Sequence, residues 1–210
     1  MLSVKAFASG EWQANCYVVD DEQGDGVVID PGEEVDAVLG YAAERALRIR
    51  AILATHAHYD HIASVQDLKE RFQVPFFLHG ADARLLRQAN FYRKIFGGKR
   101  TISIPTMDHD LAAGRTLQFG ALSIDVMHTP GHTPGSVSFL TEGHLFVGDT
   151  VLAKRIGRTD LPGGDKSALA ESVRRVFALP AATLLCPGHG PTMTLAESRT
   201  INREAAELVR

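Results

Sequence analysis

The run Ala51-Ile52-Leu53-Ala54-Thr55-His56-Ala57-His58-Tyr59-Asp60-His61 joins an apolar stretch to three imidazoles and a carboxylate. An uninterrupted apolar run of this kind reads as a β-strand covered on both faces. The segment Ile62 to Phe72 (IASVQDLKERF) then reads as a helix. The cluster therefore falls at the carboxyl end of a strand, where sheets with helical crossovers collect their ligands.

Working outward, the N-terminal third gives β-type runs at 2–7, 15–20 and 26–29, separated by Gly/Asp turns. In 31–48 the apolar residues Val35, Val38, Leu39 and Ala42 recur at spacings of three and four, which predicts an amphipathic helix opening at Pro31 with Glu33 and Glu34 in its first turn. Downstream come a strand at 75–79, a helix at 82–90 and strands near 116–119, 122–127, 136–140 and 144–147. A Gly-rich loop at 157–165, a helix at 166–179, a strand at 183–186 and a polar helix from about 195 complete the chain. Runs of strands with helices interspersed predict an α/β or α+β layered fold, sheets inside and helices outside. No linker or low-complexity tract interrupts 1–210, so a single domain is expected. Each half runs strands, helix, strand, which hints at a two-fold pseudo-repeat without residue-level self-similarity.

The 210 residues carry 22 Lys+Arg against 25 Asp+Glu and are 45% hydrophobic, an ordinary globular composition that excludes disorder. A near-balanced charge with no basic stripe argues against a nucleic-acid partner. The start MLSVKAFASGEW lacks a basic stretch followed by a long apolar run, and nowhere do about 18 apolar residues follow one another, so no signal peptide or membrane span is expected. Cys16 and Cys186 lie in apolar segments and read as inert buried thiols of a reducing compartment, which places the protein in the cytoplasm.

On an extended backbone the side chains of i and i+2 point the same way, so His56 and His58 can grip one ion. Asp60 and His61 project from a new direction as the helix begins and can hold a second. Imidazole and carboxylate suit zinc, iron and manganese, and the absence of Cys argues against a thiolate-rich structural site. Three further segments end the same way: an apolar strand, a Gly-containing turn, and then His132, Asp149 or His189. Four such strand ends converging on one site is the economical reading. His79, His109, His128 and His144 lack this construction and are left out.

THAHYDH with PGHTPGS, Gly148-Asp149 and PGHG resembles the metallo-β-lactamase superfamily, and within it the glyoxalase II-like thioesterase branch. The likeness runs from NCYVV and the Asp30-Pro31-Gly32 turn through GRTDLPGGD to PGHG. It implies an αββα four-layer sandwich of the metallo-β-lactamase type. It also implies two divalent metal ions, zinc first, with iron or manganese as alternatives. One would be held by His56, His58 and His132, the other by Asp60, His61 and His189, with Asp149 bridging both.

The implied activity is hydrolysis of a small-molecule thioester of the hydroxyacylglutathione type by a metal-bridging hydroxide. Asp60 and Asp149 would be the catalytic carboxylates, the first orienting the hydroxide and the second fixing the separation of the ions. Arg158 stands where the family usually has a Lys that contacts the glutathione backbone, and Asp160 where a Tyr is expected. Arg158 is thus the candidate substrate-binding residue, and pairing with Asp160 or Asp165 to fix the loop is its alternative. The aromatic stretch Phe91 to Phe96 reads as a cap on the core, with a lip over the acyl group as the other possibility. Two rival functions remain: a mononuclear iron persulfide (sulfur) dioxygenase, and a binding domain whose ions only staple loops.

Overall fold

A computed structural model of the chain describes residues 2–98, 101–111 and 115–208. The first half builds one sheet from β1 (Ser3–Ser9), β2 (Ala14–Asp20), β3 (Asp25–Ile29), β4 (Arg48–Leu53), β5 (Phe76–Leu78) and β6 (His109–Asp110), side by side in chain order. β1 to β3 are antiparallel, whereas β3 to β6 are parallel. The parallel part needs crossovers, which are supplied by α1 (Asp36–Glu44), by α2 (Tyr59–Ile62) with α3 (Val65–Phe72), and by α4 (Ala83–Arg87) with α5 (Ala89–Ile95).

The second sheet contains β7 (Thr116–Phe119), β8 (Leu122–His128), β9 (Val137–Thr141), β10 (His144–Gly148), β11 (Leu184–Pro187) and β12 (Met193–Thr194), again in chain order. Its one parallel pair, β10 with β11, is bridged by α6 (Lys166–Phe177). α7 (Leu195–Ile201) and α8 (Arg203–Leu208) close the described chain. Among the described residues no helix is long and apolar enough to cross a membrane.

Strand periodicity sorts the core into three apolar layers. In β2, Cys16 and Val18 face the first set of helices, while Tyr17 and Val19 face the other sheet. Phe139, Phe146, Ile124 and Leu117 meet the latter from the second sheet. Leu145, Val147 and Leu185 point outward onto Leu169, Val173 and Val176 of α6. Two sheets face to face with helices outside each make the four-layer αββα sandwich. Strands buried on both faces explain why β2 to β4 read as continuous apolar runs. Each fully buried Phe, such as Phe139, contributes roughly 1.5–3 kcal/mol through burial.

Several boundaries differ from the sequence expectation. The first helix starts at Asp36, not Pro31. Pro31 accepts a bond from the Ser64 amide (3.1 Å), and Glu34 takes a left-handed φ of +62°, so this stretch turns over the site loop instead. That same Ser64 bond splits the expected 62–72 helix into α2 and α3. The helix expected at 82–90 divides at Gln88 and runs on to Ile95. The terminal helix breaks at Asn202, whose Nδ2 is drawn inward to the Leu152 and Arg155 carbonyls (2.9 and 2.8 Å). The two-residue strands β6 and β12 are too short to leave a pattern.

The sheets are stitched together at one end. The Val137 amide donates to the Thr55 carbonyl (2.8 Å), and the Asn15 amide donates to the Gly188 carbonyl (2.7 Å). Asn15 Nδ2 and the Tyr17 hydroxyl both donate to the Pro187 carbonyl, at 2.9 and 2.7 Å. These bonds fix the loops that leave β4, β8 and β11 at that end.

Candidate metal centre

β4 ends at Leu53, and the loop after it is anchored at once by a buried carboxylate. Asp30, just beyond β3, accepts from the Thr55 amide (2.7 Å) and from Thr55 Oγ1 (2.6 Å). His58 is extended (ψ 144°) and precedes α2, whose single turn presents Asp60 and His61 beside it. His132 arrives on the loop between β8 and β9, Asp149 directly after β10, and His189 after β11. Strand-to-loop geometry thus delivers all seven candidates to one place.

Six of them form two triads whose donor atoms converge, His56, His58 and His132 in one and Asp60, His61 and His189 in the other, and Asp30 converges with His56 and His61 in a third set that joins the two. His132 Nε2 and His58 Nδ1 face each other at 2.9 Å. His189 Nε2 lies 3.3 Å from Asp60 Oδ2, and His61 Nε2 lies 3.7 Å from the same oxygen. Asp149 reaches both groups: Oδ2 is 3.6 Å from His132 Nε2 and from His189 Nε2, and Oδ1 is 3.7 Å from His61 Nε2.

Three buried polar atoms, His56 Nε2, His61 Nε2 and Asp149 Oδ1, have no hydrogen-bond partner and point into this cluster. Orphaned polar atoms are costly in an interior, and cations held among them would satisfy all three. Gly188 keeps the space open, since a Cβ there would collide with Asp149 Oδ1 and His61 Cε1. Gly148 takes a φ of +50°, and a side chain on it would strike Thr55 Oγ1. The donors therefore fit divalent ions in number, chemistry and space.

Charge is divided between the triads. Burial, and after it the neighbouring imidazoles, drives His56 well below its ordinary pKa and His58 down to about 3. Both are held neutral, the form that donates to a metal. Burial also opposes charge on His61, but Asp60, Asp30 and Asp149 outweigh it and lift the group to about 10. For Asp60, burial is overcome by His61 and His189, and its pKa falls well below the carboxylate range.

The other ring nitrogens are held by an outer layer. Thr55 Oγ1 sits 3.0 Å from His56 Nδ1, and Asp30 Oδ2 sits 3.1 Å from His61 Nδ1, so Asp30 aligns one histidine of each triad. His132 Nδ1 bonds the Arg158 carbonyl (2.8 Å) and His189 Nδ1 the Trp12 carbonyl (2.9 Å). Asp82, fully buried, accepts from the Ala57 amide, Thr133 Oγ1 and the Gly135 amide at 2.7–3.0 Å, tying the first loop to the His132 loop. Sequence reading missed Asp82 and the tethering role of Asp30. Asp30 had a usable signal, because it follows an apolar strand as Asp149 does. Asp82 lies in a short turn after β5 and had none.

Over the centre lies a cleft of about 100 Å³ floored by His58, Asp60, His132 and Asp149. Tyr92 and Phe96 line it, and Phe96 also packs against the first apolar layer, so the aromatic stretch both caps the core and borders the cleft, while Phe91 and Ile95 stay exposed. Arg158 also lines it, with its guanidinium forked onto Asp160 (2.7 and 2.8 Å). Asp165 is not its partner but caps α6 through the Ser167 and Ala168 amides. Of the histidines set aside, His109 stacks on Phe77 and His79 on His128, outside the two triads.

Residues 9–189 match the model of the metallo-β-lactamase superfamily. Two curated relatives bracket the similarity. An uncharacterized protein of Aquifex aeolicus is 36% identical over 99% of each chain. The hydroxyacylglutathione hydrolase GloC of Haemophilus influenzae is 28% identical over 96% of this chain and 97% of its own. Among solved structures, BLEG-1 B3 metallo-β-lactamase superposes with a TM-score of 0.90 at 35% identity, covering 96% and 98% of the two chains. TTHA1623 in a di-iron-bound form gives 0.86 at 36% (95% and 98%). ETHE1 from Myxococcus xanthus gives 0.81 at 30% (99% and 88%).

Proposed function

The chain belongs to the metallo-β-lactamase superfamily, whose members are metal-dependent hydrolases, and from that premise we propose that it hydrolyses small-molecule thioesters. The observation that carries the metal part is the set of three orphaned atoms, His56 Nε2, His61 Nε2 and Asp149 Oδ1, turned into one cluster. The thioester part is supported by the likeness to a hydroxyacylglutathione hydrolase and by a cleft that opens onto both triads. In this reading residues 1–210 act as one domain. The buried, unpaired Cys16 and Cys186 suit the reducing cytoplasm.

His56, His58 and His132 would hold one ion, Asp60, His61 and His189 the other, and Asp149 would touch both. Such a pair supplies hydroxide near neutral pH and polarises the substrate carbonyl. The chain's own residues prepare for this. Asp30 and Thr55 hold the His56 and His61 rings so that Nε2 faces inward. Asp60, a carboxylate at the floor of the cleft, aligns the attacking water, and Asp149 sets the spacing between the triads. Tyr92 and Phe96 shield the reacting carbonyl from bulk water, and Arg158 stands at the rim near the distal part of the substrate with its guanidinium paired to Asp160.

Zinc is the first choice of metal. Iron is the competitor, because a relative at 36% identity is known in a di-iron-bound form. A second reading, an iron-dependent persulfide dioxygenase, is favoured by the likeness to ETHE1. Metal analysis combined with thioester hydrolysis and persulfide-dependent O2 uptake on the same protein separates them. Thioester turnover that rises with metal loading is expected. O2 uptake without thioester turnover overturns the hydrolase.

A further inference from the structure

We propose that the cleft selects thioesters whose flanking groups are apolar and uncharged, because the fixed cation at its rim is already neutralised by the chain itself; this rests on the thioesterase reading above. Among the described residues lining the cleft, Arg158 is the one Lys or Arg. Its Nε donates to Asp160 Oδ1 (2.7 Å) and its Nη2 to Asp160 Oδ2 (2.8 Å), using one of the two edges that can clasp a substrate carboxylate bidentately. An arriving carboxylate must displace Asp160 or settle beside its negative charge.

Away from the metal-centre residues, the remaining wall adds no further Lys or Arg among the described residues. Trp12, Leu85, Tyr92, Phe96, Leu161 and Pro162 present apolar and aromatic surface. The loop bearing the pair is fixed independently, because the Arg158 carbonyl bonds His132 Nδ1. Asp160 also accepts from its own backbone amide, so its carboxylate is held facing the guanidinium. The pair is exposed, with side chains 53% and 68% accessible, so its masking is expected to be worth up to about fivefold in affinity rather than orders of magnitude.

Trp12 is the single tryptophan of the chain and lines the cleft, so its fluorescence reports binding without turnover. Metal-loaded protein is titrated with two non-hydrolysable thioethers of matched size, S-benzyl-N-acetylcysteamine and its para-carboxylate. Wild type is expected to bind the neutral probe more tightly. Asp160→Ala should shift the ratio toward the carboxylate by up to about fivefold, and the shift should vanish in the Arg158→Ala/Asp160→Ala double variant. A wild type that prefers the carboxylate, no saturable quenching by the neutral probe, or an unchanged ratio in Asp160→Ala overturns the proposal. Hydrolysis of the corresponding S-acyl esters is assayed alongside. Turnover with a carboxylate preference sinks the selectivity alone, whereas no turnover of either ester sinks the thioesterase reading beneath it.

Discussion

The His56–His58–His132 triad consists of imidazoles alone, with His56 and His132 almost wholly buried (1% and 3% accessible) and His58 half-buried, whereas the Asp60–His61–His189 triad carries a carboxylate and opens to solvent through Asp60 and His189 (19% each) around a buried His61. Burial and mutual repulsion keep His56 and His58 neutral, while in the second triad the carboxylates pull His61 toward charge. In the proposed two-ion reading, immobilised imidazoles would make the first triad the tighter hold on a cation. The second, with its exposed carboxylate, would be the place where an ion exchanges. One centre thus combines a structural grip with an accessible face, and the two are joined by Asp149.

Removing the joint should have the largest effect. Asp149→Asn keeps the size and loses the charge that reaches both triads, so kcat should fall by more than the roughly 10–100-fold that an outer partner costs, with fewer than two ions per chain. Two retained ions and near-normal kcat would refute the bridging role.

The triads themselves should then part company. His56→Ala or His58→Ala should abolish hydrolysis and most bound metal, because each strips a neutral donor from the tighter site. His189→Ala should lose hydrolysis yet keep about one ion per chain. Equal metal loss in all three would erase the distinction drawn between the triads. Elemental analysis of the purified variants checks it.

Asp30→Asn should act on both triads at once, lowering metal affinity or activity by about 10–100-fold, since one carboxylate orients His61 directly and His56 through Thr55. Thr55→Val, which keeps Asp30 against His61, should weaken the first triad more than the second. Metal titrations of the two variants test that order.

These expectations depend on residues the sequence exposed unevenly. The convergence of these ligands was legible because His56, His58, His132, Asp149 and His189 follow strands and Asp60 and His61 open the next helix, a local pattern that spacing and hydropathy record. Their division into two triads came from the family resemblance. A layered fold with sheets inside was legible in the alternation of strand runs and helices and in the doubly buried run 51–54, while the two-sheet αββα form came from the family resemblance. The outer layer was not. Asp82 reaches Ala57, Thr133 and Gly135 from a turn after β5, and such a bond exists only once the sheets have met. The late start of α1 at Asp36 and the break between α2 and α3 have one tertiary cause: Ser64 bonds Pro31 across the site loop. Arg158 was ambiguous from sequence because Asp160 and Asp165 both lay within reach, and only the fold assigns Asp165 to the helix cap.

The smallest effect belongs to a histidine outside both triads. His109 stacks on Phe77 at 4.5 Å in an exposed edge strand, so His109→Ala should leave turnover near wild type and change stability by about 0.5 kcal/mol or less. A large loss of turnover there would mean the centre has been misplaced.

The deciding measurement is the number of divalent ions per wild-type chain at which thioester turnover reaches its maximum, followed by titrating metal into stripped protein while hydrolysis is monitored. Two joined triads predict that kcat stays low at one equivalent and saturates at two. Full thioester turnover with a single ion, or a single iron that supports persulfide-dependent O2 uptake and no thioester hydrolysis, would contradict the two-ion hydrolase.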